Sequence, residues 1–243
     1  MSALVAQTGL EVRLLVRRAE ALLITLAIPA GMLAFFSGVA NLPIPARYDE
    51  PVDFLLPGSL ALAVIATSMV ALGISTGYDR AYGVLKRLGG SPLGRPRLLA
   101  AKAISVLVFE ALQIAVLVGL GLALGWDGGG ANIPAATLSI LLGSAAFAGI
   151  ALLCAGALRA EATLAITNGL FGIFLFLGDA IYSLDRLPEA LTAVGRALPA
   201  AAFADTLRAA LTEGADLPAG SFGLLVAWAV ATLGAAAWAF RWE

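Results

Sequence analysis

Long apolar runs alternate with short polar intervals along this chain, and their spacing predicts helices. Runs over 21–40, 54–77, 103–126, 134–158, 162–184 and 217–240 are each close to or longer than the ~20 residues that cross a bilayer core. Pro29 is expected to kink the first run, where neighbouring helices re-satisfy the lost bond. Pro57 is expected in the first turn of the second. The intervals are short: 41–53 holds three prolines with Asp49, Glu50 and Asp53, 127–133 is glycine-rich, and 159–161 is a tight turn. Ala145 and Gly149 in the fourth run are small enough to let another helix approach closely. Residues 185–216 carry two short helical patterns that break at Leu198 and Pro199. Leu187, Leu191, Val194 and Leu198 share one face; Phe203, Leu207 and Leu211 share the other. Neither piece can span a membrane, so both are expected to dip into it or lie on it as an external hairpin. Over 1–20, Leu4, Val5, Thr8, Val12, Leu15, Val16 and Ala19 fall on one arc, opposite Glu11, Arg13, Arg17, Arg18 and Glu20. An amphipathic interfacial helix fits this pattern, and so does a plain charged flank anchoring the first span.

Composition places the chain in a membrane. Of 243 residues, 60% are hydrophobic and 13% charged, against about 45–50% and 25% in soluble domains. There is no histidine, and Cys154 is the single cysteine. A disulfide within the chain is therefore excluded, and haem, zinc and histidine acid–base chemistry find no support. Cys154 reads as a small core hydrophobe, and Trp126, Trp228, Trp238 and Trp242 include candidates for an interfacial belt. Arginine outnumbers lysine and alanine abounds, a compositional habit that suggests a bacterial plasma membrane protein. No cleavable signal peptide is expected at 1–20.

The polar interval that matters most is 78–102, YDRAYGVLKRLGGSPLGRPRLLAAK. It sets Arg80, Lys86, Arg87, Arg95, Arg97 and Lys102 against one acid, Asp79. With the N-terminus inside, internal segments hold these six with Arg13, Arg17, Arg18, Arg159 and Arg241, while Arg47, Arg186, Arg196 and Arg208 lie outside. The count, 11 against 4, orients a six-span chain with both termini in the cytoplasm. No GxxxxGK[ST] phosphate loop, nucleophile motif or pair of catalytic carboxylates is present. Such a chain conducts, uses an ion gradient, or draws energy from a partner.

One order of residues is more specific. Asp79, Gly83, Val84, Leu85, Leu88 and Ser91–Pro92 follow the second span, and Leu198, Pro199, Asp205, Leu207, Arg208 and Gly214 precede the last. This arrangement resembles the type-2 ABC exporter permease family, except that Val84 stands where that family usually has threonine. The resemblance implies an all-α permease with six transmembrane helices, forming a single domain over 1–243. It would have an interfacial helix at 1–20, a cytoplasmic coupling loop at 78–102 and an external hairpin at 185–216. It implies that 78–88 forms a short helix docking on an ABC ATPase. Leu85 and Leu88 would supply apolar contact, Asp79, Arg80, Lys86 and Arg87 would set orientation, and Gly89, Gly90, Ser91 and Pro92 would end the helix. A simple positive-inside anchor needs the charge but not that order. The resemblance further implies two ATPase subunits holding ATP and Mg²⁺, a second permease identical or different, surrounding membrane lipid, and no nucleic acid. This chain itself would bind no cofactor or metal and catalyse nothing; its cargo would be an amphipathic drug, antibiotic or lipid.

Four polar residues inside the runs are candidates for a gate or substrate path. Glu110 costs about 2.5–3.5 kcal/mol if it faces lipid at mid-helix. It lies roughly 12 Å beyond Lys102, so it should face the bundle or a cavity, as a gate with Gln113, as an interhelical hydrogen bond, or as a carboxyl held neutral by burial. Asn168 is expected to bridge helices. Asp179 is expected to satisfy N–H groups of the external hairpin or to meet a polar cargo head. The other readings are an ion-coupled secondary transporter, which needs inverted repeats and more buried charge, a membrane enzyme with clustered acids, and a non-transporting membrane assembly subunit.

Overall fold

The computed structural model describes residues 9, 19–38, 48, 50–89, 95–211 and 217–240; side chains of 19–24, 88–89 and 95–99 lie outside the description. Most of the expected interfacial helix, the Leu88 side chain, Ser91, Pro92 and Gly214 therefore fall outside it. Among the described residues all regular structure is helical: α1 (Ala19–Ser37), α2 (Pro51–Ala81), α3 (Val84–Gly89), α4 (Arg95–Ala123), α5 (Ile133–Ala157), α6 (Ala160–Leu177), α7 (Glu189–Ala197), α8 (Pro199–Leu211) and α9 (Ala219–Ala239). Among the described residues, five stretches are long and apolar enough to cross a membrane: α2, Ala100–Ala123 within α4, α5, α6 and α9. Thr25–Ser37 in α1 forms a shorter apolar helix.

α2 is the central post. Every residue from Phe54 to Met69 is buried, as expected for a helix apolar on all sides, and α1, α4, α5, α6 and α8 pack around it. Gly58 lies so close to the turn after α6 that a methyl group there would overlap the Ala180 carbonyl. The helix starts earlier than its apolar pattern, with Pro51 in the first turn; Pro57 thus sits inside it, which corrects the expected placement. It also outlasts the pattern, and α4 begins at Arg95. The interval expected as a loop over 78–102 is thus helical at both ends. The apolar pattern marks where lipid stops, whereas leucine, alanine, arginine and lysine sustain helix beyond it. Midway, Ala66–Ala71 winds as π-helix, a rare irregularity often found at functional sites.

The small residues of α5 meet α9, where a methyl group on Gly149 would run into Thr232. Thr232 Oγ1 donates to the Ala146 carbonyl at 2.9 Å, so close helix packing and an interhelical hydrogen bond occur together.

The two arms of the hairpin differ. In α7, Leu191 and Val194 are exposed. α8 is buried nearly throughout, from Pro199 to Ala210. Near its end, the Asn132 N–H donates to the Ala210 carbonyl at 2.7 Å, at the mouth of α5. Phe203 lies against Gly143, roughly 15 Å farther along α5. Trp228 Nε1 donates to the Ala197 carbonyl at 3.1 Å, roughly 13 Å into α9. α8 therefore runs from inside the bundle back to its end.

Candidate functional site

At the basic end the chain turns from α2 into α3 at Gly83, whose φ of 68° is left-handed and free of strain only for glycine. The Gly83 N–H donates to the Arg80 carbonyl at 3.0 Å, one of the two bonds of a Schellman cap. The residues expected to steer a partner divide into two sets. Asp79 and Arg80 face inward: Lys102 Nζ, on a side chain only 5% exposed, donates to Asp79 Oδ2 at 2.6 Å. Arg80 donates to the Ala155 carbonyl at 2.9 Å and also to that of Gly156, capping the last turn of α5 with a positive charge. Leu85 is fully buried and so cannot offer apolar contact to a partner; it seats α3 on the bundle. Lys86 and Arg87 are exposed, as is Tyr82 at 69%. Arg87 also donates to the Tyr82 carbonyl at 3.0 Å, and Tyr82 stacks on Tyr78 with ring centroids 6.0 Å apart.

α4 carries a buried polar strip. Glu110 is 1% exposed and Gln113 2%. Ser144 Oγ of α5 donates to Glu110 Oε2 at 2.5 Å, while Glu110 Oε1 has no hydrogen-bond partner among the described residues. Thr67, in the π-segment of α2, donates to Gln113 Oε1 at 2.7 Å, and Gln113 Nε2 donates to Thr25 of α1 at 3.3 Å. Gln113 thus joins three helices beside the irregular turn, and Glu110 joins a fourth. Asn168 is exposed and donates to the Leu164 carbonyl of its own helix at 2.8 Å. It makes no bridge among the described residues, which corrects that expectation: a short amide near its own backbone carbonyl finds a partner without leaving the helix.

At the other end Asp179 adopts φ 54°. Its Oδ1 accepts the Leu184 N–H at 2.8 Å. Arg208 of α8, 1% exposed, donates to both the carboxylate and the carbonyl of Asp179. Its guanidinium sits 4.1 Å from the Phe54 ring centroid, a cation–π contact out of water. Arg208 was counted as an exterior topology charge; buried and paired, it is a structural ion. The sequence signal for it was position. On α8, Ala200, Phe203, Ala204, Leu207, Arg208 and Leu211 fall on one stripe with helical spacing, so an arginine there needed a buried acid. Thr25 and Thr67 carried no comparable signal, because isolated threonines in apolar runs mostly bond their own helix.

The family described as ABC-2 type transporter matches residues 4–212, a stretch running from before α1 through α8. No curated protein matches the chain. Because the match covers most of its length, the chain belongs to the ABC-2 type transporter family, as a membrane-spanning permease component without an ATPase site of its own.

Proposed function

We propose that this chain is the membrane half of an ATP-driven exporter of amphipathic cargo, worked from the cytoplasm by a separate ATPase subunit that grips α3. Family membership supports pairing with an ABC ATPase. The observation that carries the reading is the construction of the basic end. Lys86 and Arg87 stand exposed on a six-residue helix. Leu85, the Asp79–Lys102 pair and the Arg80 cap fasten that helix and its approach to α2, α4 and α5. A push on α3 would reach three spanning helices together, as transmission through a bistable assembly requires. Two permeases, identical or different, and two ATPases would make the complex, with the cargo path between the permeases.

The test is reconstitution of the chain with its ATPase in proteoliposomes. Transport of a fluorescent amphipath is expected to need ATP and to survive collapse of the proton gradient. Reversing both exposed charges, Lys86→Glu with Arg87→Glu, is expected to abolish co-purification of the ATPase while the permease keeps its melting temperature. Transport driven by the proton gradient without ATP, or undiminished ATPase binding by the charge-reversed chain, would sink the proposal.

A further inference from the structure

A cavity of about 630 Å³ opens between α4, α5 and α9 and reaches Lys102, of the pair that fastens the α3 elbow, at one end. Its walls are apolar: Val106 and Leu107 from α4, Leu141 and Ala148 from α5, and Leu233 from α9 are among them. Leu107, Leu141 and Leu233 are 37–47% exposed, so the cavity has an open, apolar side among the described residues. The polar groups lie at two places. Lys102 borders the cavity towards the basic end, with its ammonium already on Asp79. Ser144 lines the wall farther in, and its hydroxyl is donated to Glu110. Glu110 is one turn beyond Val106 and Leu107 on α4; it does not itself line the cavity, and its carboxyl is joined to the wall through Ser144.

From this arrangement we infer that the cavity is a binding site for a lipophilic amine, entered sideways from the membrane, with Glu110 as its counter-charge. A buried carboxyl group needs a hydrogen-bond partner for each of its oxygens. Ser144 supplies one; Oε1 receives none among the described residues. A protonated amine carries both the positive charge and the N–H that this oxygen lacks, and its alkyl body matches the aliphatic walls. Pockets of this kind combine apolar lining with a few placed polar groups. An anionic amphipath is disfavoured: it would bring its charge towards Glu110, and Lys102, the one cation bordering the cavity among the described residues, is engaged by Asp79.

The site is tested by binding rather than transport, so its outcome does not depend on ATP or on a docked ATPase. The full chain is placed in nanodiscs of zwitterionic lipid, and binding of dodecylamine, dodecanol and dodecanoate is measured against empty nanodiscs at pH 7. Dodecylamine is expected to bind at least about tenfold more tightly than dodecanol. Glu110→Gln is expected to bring the two within about twofold of one another. Leu233→Trp, at the exposed rim, fills the cavity without touching the carboxyl and is expected to weaken amine binding about tenfold. It also serves if the Gln variant fails to fold. Equal binding of amine and alcohol by the native chain would overturn the site. So would a preference for amine that survives both substitutions, or tighter binding of dodecanoate that is lost on Lys102→Gln, which would make the cavity an anionic-lipid site.

Discussion

Asp179 and Arg208 show how much one pair of charges can hold. The arginine joins α8 to the turn after α6 and covers the Phe54 ring of α2, so three separate segments depend on it. Removing one partner of a buried pair strands the other charge at a cost of about 3–5 kcal/mol. Arg208→Ala is therefore expected to lower unfolding stability in micelles by that order. Asp179→Asn combined with Arg208→Met should cost less than the sum of the two single changes; strict additivity would show that the pair is not coupled. Gly83 acts through its backbone alone, since nothing lies within 4 Å of a methyl group placed on it. Gly83→Ala should cost about 1–2 kcal/mol through the left-handed conformation, and Gly83→Asn less. Equal melting curves for the glycine and alanine proteins would contradict the turn described here.

At the scale of elements, α2 is held at both ends and irregular between them. Phe54 lies under Arg208, Asp79 pairs with Lys102, and Ala66–Ala71 interrupts the α-helical winding midway. A π-segment amounts to one extra residue in an α-helix. Deleting Val70 should therefore regularise the helix and leave its basic half in register, whereas deleting Ile74, in the α-helical winding beyond the segment, should turn the basic end by roughly 100°, pulling Asp79 away from Lys102. The Ile74 deletion and Lys102→Met are each expected to lower the melting temperature, and together to lower it little more than the deletion alone. Full additivity would show that the register of α2 does not hold this pair. The apolar patterns predicted five of the six expected spanning helices among the described residues, the first run giving only the shorter Thr25–Ser37 helix, because a run without charge can be satisfied in a membrane only as helix. They placed helix ends poorly at Pro51, Ala81 and Arg95, because periodicity reports where lipid lies and not where backbone bonding stops. The π-segment had no legible cause in the sequence. The hairpin was legible as two short amphipathic pieces; its inner arm became identifiable only once Arg208 had a partner, which a single chain of letters does not pair with Asp179.

At the scale of the molecule, the charge distribution predicts the basic end of the bundle on the cytoplasmic side, and family membership fixes the chain as a permease component. The order of residues after the second span pointed to that family, although the structure divides their tasks differently. Asp79, Arg80 and Leu85 bind the elbow to the bundle, leaving Lys86 and Arg87 as the exposed charges of α3. The central claim is that a separate ATPase grips this elbow, and site-directed crosslinking tests it most directly. Single cysteines replace Lys86 on α3 and Thr192 on α7 in a chain whose Cys154 is changed to Ala, and each is labelled with a maleimide–benzophenone reagent and irradiated in the assembled complex, so that the photoactivated ketone inserts into a neighbouring C–H bond. The cysteine at 86 is expected to join the ATPase subunit in a nucleotide-dependent way, and the one at 192 to remain unlinked. A crosslink from position 192, or none from position 86 in a complex that hydrolyses ATP, would contradict the claim.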